Sequence, residues 1–360
     1  MSASMDRTET NRTEKETGVK RKEKIFQGVA LFLLAACSIA ASQEVTKVGT
    51  TGGKFLSIPV GARAVGMGGA FVAVANDASA MFWNPAGMAR LSQPEALFTH
   101  SGWIAGMAFN YGGVVVPVSG LGTVGINFTS LTMADMERTT EEQPEGTGET
   151  FSAGSFAVGA SYAQNLTEWF SIGGSVKYVN EHIWNTSATD IAVDVGTLFV
   201  TPFSGLKFGA GISNFGSKLQ MHGDDLLVLK DISPNAGNNS NVTANLGTDN
   251  FDLPLVLRIG LAYEPIVSEE RHLTIVVDAV HPNDNSESIS VGTEFTGIQN
   301  ILALRAGYMA LGQRDSEEQY TFGGGIKYNI DNTLTLRFDY AFQRFGLLEN
   351  VHKFALGILF

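Results

Sequence analysis

Apolar and polar residues alternate along most of this chain, in segments of roughly ten residues between turn signals. No apolar run after residue 42 approaches the length of a membrane-spanning helix. Alternation of this period puts one set of side chains on each face of a strand. In Thr333 to Arg344, Leu334, Leu336, Phe338, Tyr340 and Phe342 share one face, while Thr335, Arg337, Asp339 and Gln343 share the other. Leu255, Leu257, Ile259, Leu261 and Tyr263 oppose Val256, Arg258, Gly260, Ala262 and Glu264 in the same way. Strong charges at mid-strand, opposite a wholly apolar face, suit a sheet with lipid on one side and a polar interior on the other.

About fourteen such segments are placed, at 95–101, 103–117, 121–131, 151–165, 168–181, 187–200, 205–214, 254–265, 271–281, 286–296, 300–311, 319–330, 333–344 and 351–360. A soluble two-sheet sandwich also alternates, but with strands of roughly five or six residues. The connections separate the two. With both chain ends on the periplasmic side, periplasmic turns are short and outer loops long. Val118–Gly120, Thr167, Thr201–Ser204, Gly297–Gln299 and the tight Asp331–Asn332 hairpin fall on one side. The two longest links, Thr132–Thr150 and Phe215–Leu253, fall on the other. The chain stops on Phe360, after His352, Phe354, Leu356 and Ile358 on the same face. The fold predicted is an all-β transmembrane antiparallel barrel of about fourteen strands.

Composition agrees. A formal net charge of −12 argues against nucleic acid as a partner. Gly at 41 and Pro at 10 suit curved, closed sheet rather than a disordered tract. The single cysteine, Cys37, excludes a disulfide framework. It lies in an export signal: Lys20, Arg21, Lys22 and Lys24 precede the apolar stretch Ile25 to Ala36, and Ala40-Ala41-Ser42 suits cleavage. Leu34-Ala35-Ala36-Cys37 also has the form of a lipidation site, and Met5 is an alternative start. The predicted organisation is a signal peptide over 1–42, a plug segment over 43–92 and a barrel over 93–360.

Phe55 to Leu91 breaks the alternation. Gly66, Gly68 and Gly69 permit tight turns or close backbone approach. Phe71 to Ala75 is expected as a short helix or strand, Asp77 to Ala80 as a helix start, and Asn84-Pro85-Ala86-Gly87 as a turn. The glycines do not form a dinucleotide fingerprint, because the third position is Phe71 and no βαβ unit follows. On Gly61-Ala62-Arg63-Ala64, Gly66-Met67-Gly68-Gly69-Ala70-Phe71, Asn76-Asp77-Ala78-Ser79 and Trp83-Asn84-Pro85-Ala86-Gly87, this stretch resembles the PorV/PorQ family of outer-membrane proteins, which is akin to FadL-type transporters. The resemblance implies that residues up to about 92 fold inside the barrel as a hatch, with Gly61, Arg63, Gly66, Gly68, Gly69, Asn76, Asp77, Asn84, Pro85 and Gly87 carrying the motif. It places the protein in the bacterial outer membrane. Its partners would be lipid and lipopolysaccharide, and Phe360 would be the signal to the barrel-insertion machinery.

Candidate lumen charges are Lys177, Asp190, Asp194, Lys207, Arg258, Asp278, Glu294, Arg305, Lys327, Arg337 and Asp339. They either pair with one another and the hatch, as buried charges must, or line a ligand path. Arg63 is expected to pair with a wall carboxylate. Outer-loop Leu219, Met221, Leu226, Leu227 and Leu229 are candidates for a hydrophobic ligand, a partner or a cap on the barrel mouth. Loop Thr132–Thr150 carries Asp135, Glu137, Glu141, Glu142, Glu145 and Glu149 against one arginine, as a solvated or partner-binding acidic face. No catalytic set stands out, the six His show no metal-ligand spacing, and no cofactor or metal is expected. The function implied by the resemblance is a type IX secretion-associated component that binds the C-terminal domains of secreted proteins at the cell surface. The alternative is a FadL-like passive transporter of hydrophobic small molecules.

Overall fold

Strand pairing runs without a break around the whole sheet. The computed structural model describes residues 47–203, 205–232, 241–268, 270–313, 316–330 and 333–360. The export signal with Cys37, and the Asp331–Asn332 turn, lie outside the described residues. Fourteen strands close a meander: β1 (Glu95–Gly102), β2 (Ala108–Val118), β3 (Gly122–Thr132), β4 (Ala153–Asn165), β5 (Phe170–Ile183), β6 (Thr186–Val200), β7 (Leu206–Gly216), β8 (Val256–Val267), β9 (His272–Pro282), β10 (Ser288–Gly297), β11 (Leu302–Leu311), β12 (Glu318–Asn329), β13 (Thr335–Phe345) and β14 (Val351–Leu359). Each pairs antiparallel with its sequence neighbours, and β1 closes on β14 from Glu95↔Leu359 to Ser101↔Lys353. Closure leaves no strand edge exposed to hydrocarbon, which a spanning sheet requires.

The alternation sets the two faces. Phe98, Phe128, Leu304, Phe322, Ile326, Phe338, Phe354 and Leu356 point outward and are exposed. Thr99, Ser101, Asp194, Asp278, Glu294, Arg305, Asp339 and Gln343 point inward and are buried. A one-residue slip would reverse every one of these assignments, so lipid on one side specifies the register. One predicted strand is shortened. β2 starts at Ala108 rather than 103, because Trp103 N–H donates to the Met107 carbonyl around a 3-10 turn with Ala105 and Gly106 at positive φ.

The two longest connections leave the same end of the barrel, which is the outer end. The first is an ordered hairpin, with Arg138 paired to Glu149 at 2.8 Å and stacked over Trp184. In the second, Leu219 is buried, packing beside Gly52 and Gly53 together with Leu253. Met221 is partly buried against the same core, while Leu227 and Leu229 on the short strand Leu227–Lys230 are exposed.

Residues 51–91 lie inside the barrel and descend from its outer end to its periplasmic end. At the outer end Lys54 pairs with Asp284 at 2.5 Å, Thr51 Oγ1 donates to the same carboxylate at 2.6 Å, and Gly53 N–H donates to Glu181. At the other end Arg90 donates to the Glu168 carbonyl in the β4–β5 turn. Between them are a 3-10 helix (Lys54–Ser57), α1 (Ala62–Gly66), α2 (Ala80–Trp83) and a second 3-10 helix (Pro85–Arg90). Phe71 to Ala75 forms neither helix nor strand. Two of its backbone donors are taken by the wall, Phe71 N–H and Val72 N–H both donating to Asp278 at 2.7 and 3.0 Å, while Val74 N–H donates to the Phe71 carbonyl.

Candidate functional site

The interface between the inner segment and the wall is the most elaborated part of the molecule. α1 points Arg63 at the wall, where Nε and Nη2 bond both carboxylate oxygens of Glu294 on β10 at 2.9 and 2.8 Å. Glu294 also accepts from Arg305 on β11 at 2.6 Å, and Arg305 reaches Asp339 on β13 at 2.7 Å. Asp339 accepts from Arg337 at 3.0 Å, and Arg337 lies 3.5 Å from Asp77. Asp77 lies 3.4 Å from Arg63, which closes the circuit. Six groups of alternating sign thus form a ring, two from the inner segment and four from the wall. Glu95 on β1 adds a branch to Arg337 at 2.7 Å.

Bidentate and shared pairing of this kind is what makes buried charges tolerable. Burial opposes the charged form of Arg63, but Glu294 and Asp77 outweigh it and hold its pKa above the ordinary value. Burial likewise opposes ionisation of Asp77. Arg337 and Arg63, helped by Ser79, overcome it and hold the carboxyl below its ordinary value. Ser79 N–H and Oγ–H both donate to Asp77 Oδ1, which fixes the turn that opens α2.

Glycine sets how closely the two layers meet. Gly68 has φ +67°, and a Cβ there would lie 2.5 Å from the Val291 carbonyl oxygen and 2.7 Å from the Tyr308 amide nitrogen. Thr321 Oγ1 accepts from Gly68 N–H at 3.0 Å in the space left. Asn84 is fully buried: its Nδ2 donates to the Val72 and Thr197 carbonyls, and its Oδ1 accepts from Ala86 N–H as the cap of Pro85–Arg90. Asn84 therefore ties the inner segment to itself and to β6.

Of the expected lumen charges, Glu294, Arg305, Arg337 and Asp339 meet in the ring. Lys177 pairs with Asp194 at 2.9 Å and donates to Asn214, whose positive φ of 63° marks a bulge between β6 and β7. Asp190 accepts from Ser217, and Lys207 pairs with Glu264 at 2.6 Å. Arg258 stacks over Trp83 and Phe82 of the inner segment. Lys327 lies outside the ring, near the periplasmic end of β12, and is exposed. There it lines a charged cavity of about 220 Å³ together with Arg63, Glu264, His272, Glu294 and Arg337. Gly61 and Gly69 take positive φ at turns, Gly66 abuts Gly323, Gly87 backs onto Ala75, and Asn76 accepts from Arg63 at 2.6 Å. Phe360 ends the chain exposed, its N–H donating to the Pro94 carbonyl.

Participants not singled out from the sequence include Glu95, Thr321 and Asp284. Glu95 and Thr321 occupy inward positions of predicted strands, so the alternation carried a signal for them. Asp284, in the link between β9 and β10, left none.

This fold, a closed fourteen-strand antiparallel barrel with an apolar outer face and a charged interior, defines a transmembrane β-barrel of the bacterial outer-membrane kind. The chain belongs to uncharacterised protein family UPF0164, whose pattern matches residues 30–360. Among curated proteins none matches the sequence. Solved structures with the same fold include the CymD monoaromatic hydrocarbon channel, with TM-score 0.54 and 14% identity over 84% of this chain and 97% of that one. The toluene transporter TbuX of Ralstonia pickettii gives 0.54 and 12% over 83% and 97%. The toluene transporter TodX of Pseudomonas putida gives 0.52 and 14% over 83% and 97%. At these identities the likeness concerns the fold.

Proposed function

We propose that this protein is a passive, non-catalytic conduit for hydrophobic small molecules across the outer membrane. The observation that carries the reading is a lumen filled by an inner segment held by ion pairs and hydrogen bonds, within the fold shared with hydrocarbon and toluene channels. The segment is held by ion pairs, side-chain hydrogen bonds and close apolar packing rather than by continuous strand pairing, and passage through the lumen requires it to shift. Phe55, Leu56, Leu219 and Leu253 pack together, buried, at the outer end, and an apolar molecule entering from outside would have to part them. Uptake of labelled toluene by cells lacking the gene should slow several-fold and recover on complementation; equal uptake would remove the reading.

A role in surface export is the second reading, favoured by the motif in Phe55–Leu91 and by Leu227 and Leu229 exposed at the outer end. The motif residues are already accounted for by contacts within the chain, so they carry less weight for a cargo site. If export is the role, deletion depletes proteins from the cell surface and leaves apolar uptake unchanged.

A further inference from the structure

The membrane-facing wall is not uniformly filled. Leu356, Phe98, Gly112, Phe128 and Val158 form one outward row across β14, β1, β2, β3 and β4. Gly112 leaves a gap in that row between two phenylalanines that are 52% and 44% exposed. A Cβ placed on Gly112 would meet nothing within 4 Å. The result is a recess of about 440 Å³ with an almost wholly apolar lining, including Val114 and Ile126.

Its position says what covers it. Two residues nearer the outer end, about 7 Å along the strands, the same face turns polar. His100 and Asn110 are bonded across β1 and β2 at 2.8 Å, and two residues further out on β14, beyond Phe354, His352 Nδ1 is bonded to Tyr340 Oη of β13 at 2.8 Å. Polar and amphipathic side chains on a lipid-facing surface belong at headgroup depth. One leaflet of hydrocarbon is about 15 Å, half of the usual core. The recess then lies within the acyl region of the outer leaflet, directly below a polar collar.

We propose that the recess is a slot for one acyl chain of an outer-leaflet lipid, whose polar head is held at His100, Asn110 and His352. The site is independent of what passes through the lumen. It gives this sector of the barrel a bound lipid rather than a freely exchanging one.

The test uses the full-length barrel in nanodiscs containing a phospholipid with a photoreactive acyl chain. Labelled peptides should concentrate on Gly112–Phe128, with several-fold loss in Gly112→Phe, whose Cβ meets nothing within 4 Å. Ile191→Phe, on an outward position of β6, should not change the pattern, and heat-modifiability confirms that both variants are folded. His100→Ala with His352→Ala should weaken labelling while leaving the recess intact. Labelling spread evenly around the barrel, or unchanged in Gly112→Phe, overturns the proposal. Cross-links between two copies through this face also overturn it, because a second protomer would then be the occupant.

Discussion

At the scale of single residues, the ring through Arg63 and Asp77 makes the sharpest claims. Removing one partner of a buried pair leaves the other uncompensated, at a cost of about 3–5 kcal/mol. Arg63→Ala should therefore loosen the inner segment and raise single-channel conductance in planar bilayers, while the strand wall still folds. Asp77 has a lowered folded pKa, so its ion pairs contribute fully above its ordinary value of 3.8 and are lost as pH falls through the folded value. Seating of the segment, followed by protease protection of residues 51–91, should hold from neutral pH down to about 5 and fail in strong acid. Asp77→Asn should already show weakened protection at neutral pH. Gly68→Ala should cost about 1–3 kcal/mol through its positive φ, and more through its approach to Val291 and Tyr308; a thermal melt reads it. The charges themselves were legible in the sequence as inward positions of alternating strands. Their partnership was not. Glu294 and Arg305 face each other across one hairpin, but Asp339 reaches Arg305 over an intervening strand, and Arg63, Asp77 and Glu95 join only when the barrel closes around the inner segment, which no local pattern shows. Arg63 was legible as needing a carboxylate, but nothing local distinguished Glu294 from the other acids.

At the scale of elements, period-two alternation proved sufficient for all fourteen strands, since lipid outside and charge inside leave only one register. It failed where alternation is not the governing rule. The first residues assigned to β2 turn instead through Ala105 and Gly106, and Phe71–Ala75 follows donors to Asp278 rather than a local pattern. The bulge at Asn214 is equally silent, because an extra residue shows only when two strands are laid together. The closing strand carries its own prediction. β14 pairs with both β13 and β1, so deleting Val351–Phe360 opens two edges at once. That truncation should be degraded or aggregated in the periplasm, and its normal appearance in outer-membrane fractions would count against the role given to Phe360 and its strand.

At the scale of the molecule, the barrel is stabilised by its wall and closed by its inner segment. The wall needs lipid outside and paired charge inside. The inner segment satisfies much of that charge and in doing so blocks the lumen. In the proposed role, an apolar molecule that passes must act on the segment that fills the lumen. The most direct measurement is uptake of apolar small molecules by cells of the wild type and of a deletion strain, with the surface proteome read from the same cultures. The account predicts a several-fold fall in apolar uptake with the surface proteome unchanged. Unchanged uptake with proteins lost from the surface would contradict it.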